Sequence, residues 1–194
     1  HAPGQVPVAL DALGCDFYTA SLHKWFSAPL GSGFVYVAPA WHDRVVTPQL
    51  SWGRLEPQVP QQWWEEFVWT GTRDPSAYLA TTAALELLRR VGLDTFRQQT
   101  HELARYARRR LVELIGLEPA IPDHPDWYTA MAHVPLPAGD ADGLQRALWD
   151  QHRIEVPVIA HPGQRAIPVS CPLFHDQDQF HYLVDCLRTP LAAA

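Results

Sequence analysis

Hydrophobic residues in this chain change their spacing several times, and each change predicts an element. The segment Phe17-Tyr18-Thr19-Ala20-Ser21 and the run Phe34-Val35-Tyr36-Val37 are rich in aromatic and β-branched side chains. They predict two strands, the first buried and running into a loop, the second following a turn with Pro29, Gly31 and Gly33. From Thr47 to Trp69 the chain is rich in Pro, Gln and Trp and predicts a long loop. Asp74-Pro75 is a helix-start signal. Beyond it, Ala80, Ala84, Leu87, Leu88 and Val91 keep one apolar face as far as Gly92. Phe96, Leu103, Ala107, Leu111 and Leu114 predict a second helix from about Asp94 to Ile115, stopped by Gly116. Strand and helix then alternate: a strand over 130–136, a helix over 141–152, strands over 154–159 and 166–170, and a helix over 177–187. A boundary near Gly92 divides residues 1–91 from an α+β domain over 92–194.

Composition narrows the function classes. The chain has 194 residues, 47% of them hydrophobic, and a formal net charge of -6. That balance argues against a nucleic-acid partner, and the arginine run Arg105, Arg108, Arg109 and Arg110 predicts a solvated helix face. No uninterrupted apolar segment approaches bilayer length and no signal-peptide pattern precedes the first strand, so the cytoplasm is the expected compartment. Cys15, Cys171 and Cys186 are odd in number and lack Cys-x-x-Cys spacing, which predicts three small buried apolar residues rather than disulfides or a zinc site. The ten histidines form no recognised ligand pattern, and no metal is expected.

Lys24 is the only lysine; every other cationic side chain is arginine. Arginine replaces lysine wherever only charge is needed, but a guanidinium cannot act as the deprotonated amine of a Schiff base. A covalent role for Lys24 and a leftover surface lysine are equally compatible with composition alone. The setting Ser21-Leu22-His23-Lys24-Trp25 adds chemistry. If the strand period of two persists to the end, Ser21 and His23 share one face and Lys24 takes the other. A hydroxyl and an imidazole then stand ready for an anion beside an amine that attacks a carbonyl, the pair of needs that pyridoxal phosphate presents.

Ser21-x-His23-Lys24-Trp25, followed by Pro29-x-Gly31-x-Gly33, resembles the cofactor-lysine segment of class V aminotransferase-fold enzymes, most closely the isopenicillin N epimerase-like branch. Three further stretches agree in order: His1-Ala2-Pro3-Gly4-Gln5, Trp69-Thr70-Gly71-Thr72-Arg73-Asp74, and His152-Arg153-Ile154-Glu155-Val156-Pro157-Val158. The resemblance implies a fold-type-I α/β architecture. Residues 1–91 would be the C-terminal part of the large cofactor-binding domain and 92–194 the small domain. Such an enzyme needs about twice this length, so the chain is expected to be a C-terminal half, and the absence of an initiator methionine agrees. The aspartate that pairs the cofactor's pyridine nitrogen would lie upstream of His1.

On the same resemblance, Lys24 would form the Schiff base with pyridoxal 5'-phosphate. His1 would lie against the ring, and Ser21, His23, Gly71 and Thr72 would hold the phosphate. Gly71-Thr72 is expected at a helix N-terminus, where free N–H groups favour an anion, and Thr72 would reach the neighbouring subunit's cofactor in a homodimer; without the resemblance it reads first as a plain capping threonine. Arg73 is a candidate for a phosphate or a substrate carboxylate, or for a local salt bridge to Asp74 or a nearby acid. Trp52, Trp63, Trp64 and Trp69 read as packing or interface anchors before a substrate entrance.

The family pattern breaks at Pro168. Relatives carry an arginine there, two residues before the position of Ser170, to fork onto the substrate's α-carboxylate. Arg165 is the nearest substitute, although its odd spacing should turn it to the opposite side of the strand. Desulfurase chemistry would need a cysteine ahead of this segment, and residues 151–164 contain none. The expected function is a pyridoxal-phosphate-dependent reaction at the α-carbon of an amino acid or related amine, whether epimerisation, elimination or transamination. The alternative is a truncated, non-catalytic homologue serving as a binding or dimerisation module.

Overall fold

A computed structural model of the chain describes residues 1–49, 60–68 and 70–192. They form two compact units, His1–Arg90 and Val91–Ala194.

In the first unit, the short turns α1 (Ala2–Gln5) and α2 (Leu10–Leu13) precede β1 (Phe17–Ser21) and β2 (Gly33–Val37). The two strands pair antiparallel, from Phe17 opposite Val37 to Ser21 opposite Gly33. Gly33 is required at this end, because a Cβ there would come within 3.0 Å of the Ala20 carbonyl oxygen. The strand expected to be buried is not. Phe17 is 49% exposed and Val35 56%, because a two-stranded ribbon has too few neighbours to cover both of its faces. Past the short helices α3 (Glu65–Val68) and α4 (Ser76–Leu79), α5 (Thr81–Val91) buries Ala84 and Leu88. The helix expected from Asp74 onward is therefore split: Asp74 accepts the Ser76 N–H at 2.9 Å and starts only the single turn of α4. Within the stretch read as a loop, α3 is helical, Trp63 stacks on His42 with ring centroids 4.5 Å apart, and Trp64 is exposed. Trp52 and Trp69 lie outside the described residues.

The second unit follows the predicted order closely: α6 (Leu93–Ile115), β3 (Met131–Leu136), α7 (Ala141–His152), β4 (Ile159–His161), β5 (Gln164–Ser170) and α8 (Gln177–Ala192). Its sheet is antiparallel with order β3-β5-β4. Ala104, Ala107 and Leu111 of α6, Val134 of β3, Leu148 of α7, Ile167 and Val169 of β5, and Leu183, Val184 and Leu187 of α8 make one core. Each fully buried Leu, Ile or Val side chain here contributes about 1.5–3 kcal/mol.

Two expectations fail here for identifiable reasons. Residues 154–158 are not a strand. Pro157 has no N–H for a ladder, and the Val158 N–H is taken by Gln145 Oε1 at 2.9 Å, so β4 begins only at Ile159. Arg108 is not on a solvated face. Only 6% exposed, it donates to the Ile121 carbonyl at 2.6 Å and pairs with Asp123 at 3.5 Å. Burial pushes the Asp123 carboxyl up, but hydrogen bonds from Tyr128 and Arg105, with both guanidinium charges, outweigh it and hold the group below the usual carboxylate range. Burial, then the bond to Asp123, pushes the Tyr128 hydroxyl up to about 12.

Pro168 fits β5 for a reason the register supplies. Cys171 N donates to Ala130 O, and in an antiparallel ladder hydrogen-bonded pairs alternate, so residues 169 and 167 also bond to β3 while position 168 points its nitrogen away from it. On that side β4 pairs only with Gln164–Ala166. Proline therefore removes no ladder bond.

Candidate functional site

β1 ends at Ser21, and residues 22–26 turn rather than continue the strand. The alternation that would place Ser21 and His23 on one face and Lys24 on the other therefore stops before it reaches His23. The turn is closed by its own backbone: Leu22 N donates to Ser32 O, Ala28 N to Leu22 O and Ser27 N to Lys24 O, each at 3.0 Å. Ser27 sits in the left-handed region at φ 58°. Trp25, 8% exposed, anchors the turn while Lys24 remains exposed.

Against this turn lies His1. Lys24 Nζ is 2.8 Å from His1 Nε2, and Trp25 Nε1 donates to His1 Nδ1 at 3.1 Å. Gln5, itself buried, donates through Nε2 to the His1 carbonyl at 3.0 Å. Gly4, at φ 89°, lets the two segments touch: a Cβ there would stand 3.2 Å from the Trp25 carbonyl oxygen and 3.3 Å from its Cβ. The exposed amine of Lys24 thus meets an imidazole that residues from two distant stretches hold in place. Trp25 and Gln5 were not singled out from the sequence. Both stood inside the motifs quoted for the resemblance, but no periodicity states that residues 1–5 and 24–25 converge.

The other candidates are placed as follows. Ser21 is exposed at the end of β1, and His23 is half-buried with an Nδ1 that is shut from solvent and has no hydrogen-bond partner. Gly71, at φ 120°, and Thr72 lie several residues before α4 and are not at a helix N-terminus, since Asp74 has taken over the start of that short helix. Arg73 is exposed; it donates to the Val68 carbonyl at 3.3 Å and lies over the Tyr78 ring at 5.7 Å. Among the described residues it forms no salt bridge.

Arg165 belongs to the second unit and is 6% exposed. Its Nε donates to the Pro137 carbonyl at 2.8 Å and its Nη1 to the Asp140 carbonyl at 3.0 Å. Gly139 leaves room for the guanidinium, because a Cβ there would be 2.8 Å from Nη1. The guanidinium expected as a substitute carboxylate fork is thus bonded to backbone carbonyls. A buried cation must satisfy its donors nearby, and Arg165 does so on the β3–α7 connection. Cys171 is fully buried, and burial pushes its thiol up to about 12, which leaves it an inert packing residue. Among the described residues no cluster of three or more His, Cys, Asp or Glu is placed to hold a metal ion, and no helix is long and apolar enough to cross a membrane.

Residues 2–173 match the family described as Aminotransferase class-V. The chain belongs to the class V aminotransferase family. Isopenicillin N epimerase of Amycolatopsis lactamdurans is 36% identical to it over 97% of this chain and 50% of the relative. Among solved structures, the apo cysteine desulfurase of Thermococcus onnurineus superposes with a TM-score of 0.82 at 19% identity, over 100% of this chain and 51% of that one. A C-DES variant with glycine covalently linked to its pyridoxal-phosphate cofactor gives 0.79 at 20% identity, over 95% and 49%. The fold is that of the fold-type-I enzymes. This class V aminotransferase chain spans about half the length of the curated relatives it matches.

The family's cofactor is pyridoxal phosphate, and the residues present fit it. One exposed primary amine can hold a carbonyl carbon, and an imidazole with an orphaned buried nitrogen and a free-standing hydroxyl flank it within three residues.

Proposed function

We propose that this chain is the C-terminal part of a pyridoxal-phosphate-dependent enzyme acting at the α-carbon of an amino acid or related amine, with Lys24 as its catalytic residue. The observation that carries the reading is the contact of the only lysine, at 2.8 Å, with a histidine that is itself held by Trp25 and Gln5. A lysine left on the surface by accident needs no such setting.

In this reading residues 1–91 are the tail of the large domain and 92–194 the small domain. Lys24 holds the cofactor through its amine, His1 lies beside the ring, and Ser21 and His23 donate to the phosphate. The partnerless Nδ1 of His23 supports the last role, since a buried polar atom without a partner costs about 1–3 kcal/mol until a ligand satisfies it. Gly71 and Thr72 serve a phosphate as well, reaching the cofactor of the second subunit in a homodimer, and Arg73 meets the substrate. When bound, pyridoxal phosphate supplies the carbonyl that captures a substrate amine and the ring that accepts the electron pair left at the α-carbon. Lys24 then takes the α-proton as general base. Likeness to isopenicillin N epimerase favours return of that proton on the opposite face, hence an epimerase-like outcome over elimination or transamination.

The test is incubation with pyridoxal phosphate, borohydride reduction, intact mass and peptide mapping, with Lys24→Ala as control. A stoichiometric phosphopyridoxyl adduct on Lys24 is expected. An adduct confined to the N-terminal amine, or none, sinks the reading and leaves the second one, a non-catalytic homologue retained as a binding or dimerisation module. Two observations favour that alternative: Pro168 offers no fork for a carboxylate, and Arg165 is tied to backbone carbonyls.

A further inference from the structure

One cavity of the second unit, about 790 Å³, has the size of those that hold small-molecule ligands. Its lining includes the buried side chains of Val156, Val169, Phe180 and Leu183, together with Arg153 and Pro168. Arg153 is the residue that ends α7. Its own N–H goes to the Trp149 carbonyl at 2.9 Å and the Ile154 N–H to the Leu148 carbonyl at 3.0 Å, which closes the helix with Arg153 in the left-handed region at φ 57° and ψ 32°. Glycine takes that position at the least cost, because a Cβ there crowds the backbone. An arginine is thus held against its local preference, and the helix end makes no use of its side chain. Among the described residues the guanidinium has no ion pair or hydrogen bond; it lies over the Trp149 ring at 5.7 Å. Arg108 and Arg165, by contrast, are buried and donate to backbone carbonyls.

Three carboxylates share the lining, and their engagements bear on the charge of a ligand. Asp176 accepts the Gln179 N–H at 3.1 Å at the start of α8, and Asp178 stands 3.9 Å from His181 Nδ1. Glu155 is the acid left without such a partner, against the one guanidinium in the lining. We propose that this cavity binds a carboxylate with an apolar body, and that Arg153 is the residue that fixes the carboxylate. A guanidinium presents paired N–H groups that match two carboxylate oxygens, and the buried side chains of Val156, Val169 and Leu183 receive the body of the ligand. Pro168, in the same lining, offers no charge for that purpose. Use of Arg153 on a substrate's carboxylate rests on the reading above; the binding itself does not.

The test follows backbone amide shifts of the 194-residue protein, without cofactor, during titration with hexanoate, hexan-1-ol and hexylamine. Hexanoate is expected to move the amides of Val156, Val169 and Leu183 and to bind about tenfold more tightly than hexan-1-ol, which has the same body and no charge. Arg153→Gly removes the guanidinium and gives the helix end its low-cost residue. Its urea midpoint is expected to be unchanged or higher, while hexanoate affinity falls about tenfold, to that of hexan-1-ol. Equal binding of hexanoate and hexan-1-ol in the wild type overturns the proposal without any variant. Tighter binding of hexylamine than of hexanoate also overturns it, and gives the cavity to Glu155 and a cation. So does an Arg153→Gly protein that keeps its hexanoate affinity, or one with a lowered urea midpoint, which would make the side chain a support of the fold. Because no cofactor enters the titration, a failure of Lys24 to take up pyridoxal phosphate leaves this result standing.

Discussion

Replacing Arg165 by alanine separates a structural support from a substrate-binding residue. In the structure the guanidinium donates to the carbonyls of Pro137 and Asp140, and Asp140 also accepts the Gly143 N–H through its side chain as the N-cap of α7. Arg165→Ala removes two hydrogen bonds from a charged donor, each contributing about 1.5–3 kcal/mol. It also takes this donor from the Pro137 carbonyl, while the Asp140 carbonyl keeps the Leu144 N–H at 3.2 Å, and it opens a void beside Gly139. Water entering the void offsets part of this, so a destabilisation of about 3–4 kcal/mol is expected. Urea unfolding followed by circular dichroism measures it as a lower midpoint at unchanged slope. Gly139→Ala sharpens the assignment. In the wild type the new Cβ would press on Nη1 at 2.8 Å; in Arg165→Ala that atom is gone, so the two substitutions should couple by more than 1 kcal/mol. A cost below about 1 kcal/mol for Arg165→Ala, with no coupling to Gly139, would refute the support role. Weakened binding of amino-acid substrates at unchanged stability would return Arg165 to the substrate.

Pro168→Arg places a guanidinium where the family resemblance implies one; because position 168 makes no ladder bond to β3 and lies beyond β4, stability should change by less than about 1 kcal/mol in urea, while spectral titration of the cofactor-loaded protein with amino acids should show tighter binding. Gly4→Ala forces a side chain to 3.2 Å from the Trp25 carbonyl at φ 89°, so it should disturb the turn carrying Lys24, cost about 1–3 kcal/mol and slow phosphopyridoxyl labelling. Cys171 gives a pH prediction. Its folded value, about 12, lies above the ordinary 9.0, so the folded state holds the thiol proton more tightly; this contribution is complete below pH 9 and is lost as pH rises toward 12, by on the order of 4 kcal/mol at most. Cys171→Ala should begin less stable but flatten the alkaline limb of the unfolding curve, and an unchanged limb would count against the burial argument.

Local patterns carried much of the second unit. The apolar period from Phe96 to Leu114 and the stop at Gly116 locate α6, and the helix expected over 141–152 is α7, because helices bury a stripe that recurs every three to four residues. Composition drew attention to Lys24, since one residue type used once stands out without any structure. What local pattern could not show is where a donor goes. Arg108 reads like its neighbours in an arginine run, and only the return of residues 121–128 over α6 makes it a buried anchor. Arg165 reads as a substitute carboxylate binder until the β3–α7 connection is laid across it. The Trp25–His1–Lys24 array joins positions 1 and 24–25, and only the tertiary contact at Gly4 sets them within 3.1 Å. Periodicity is a property of neighbours along the chain, whereas the partner of a polar atom is decided by whichever distant segment closes over it, and in this protein the candidate chemistry depends on those closures.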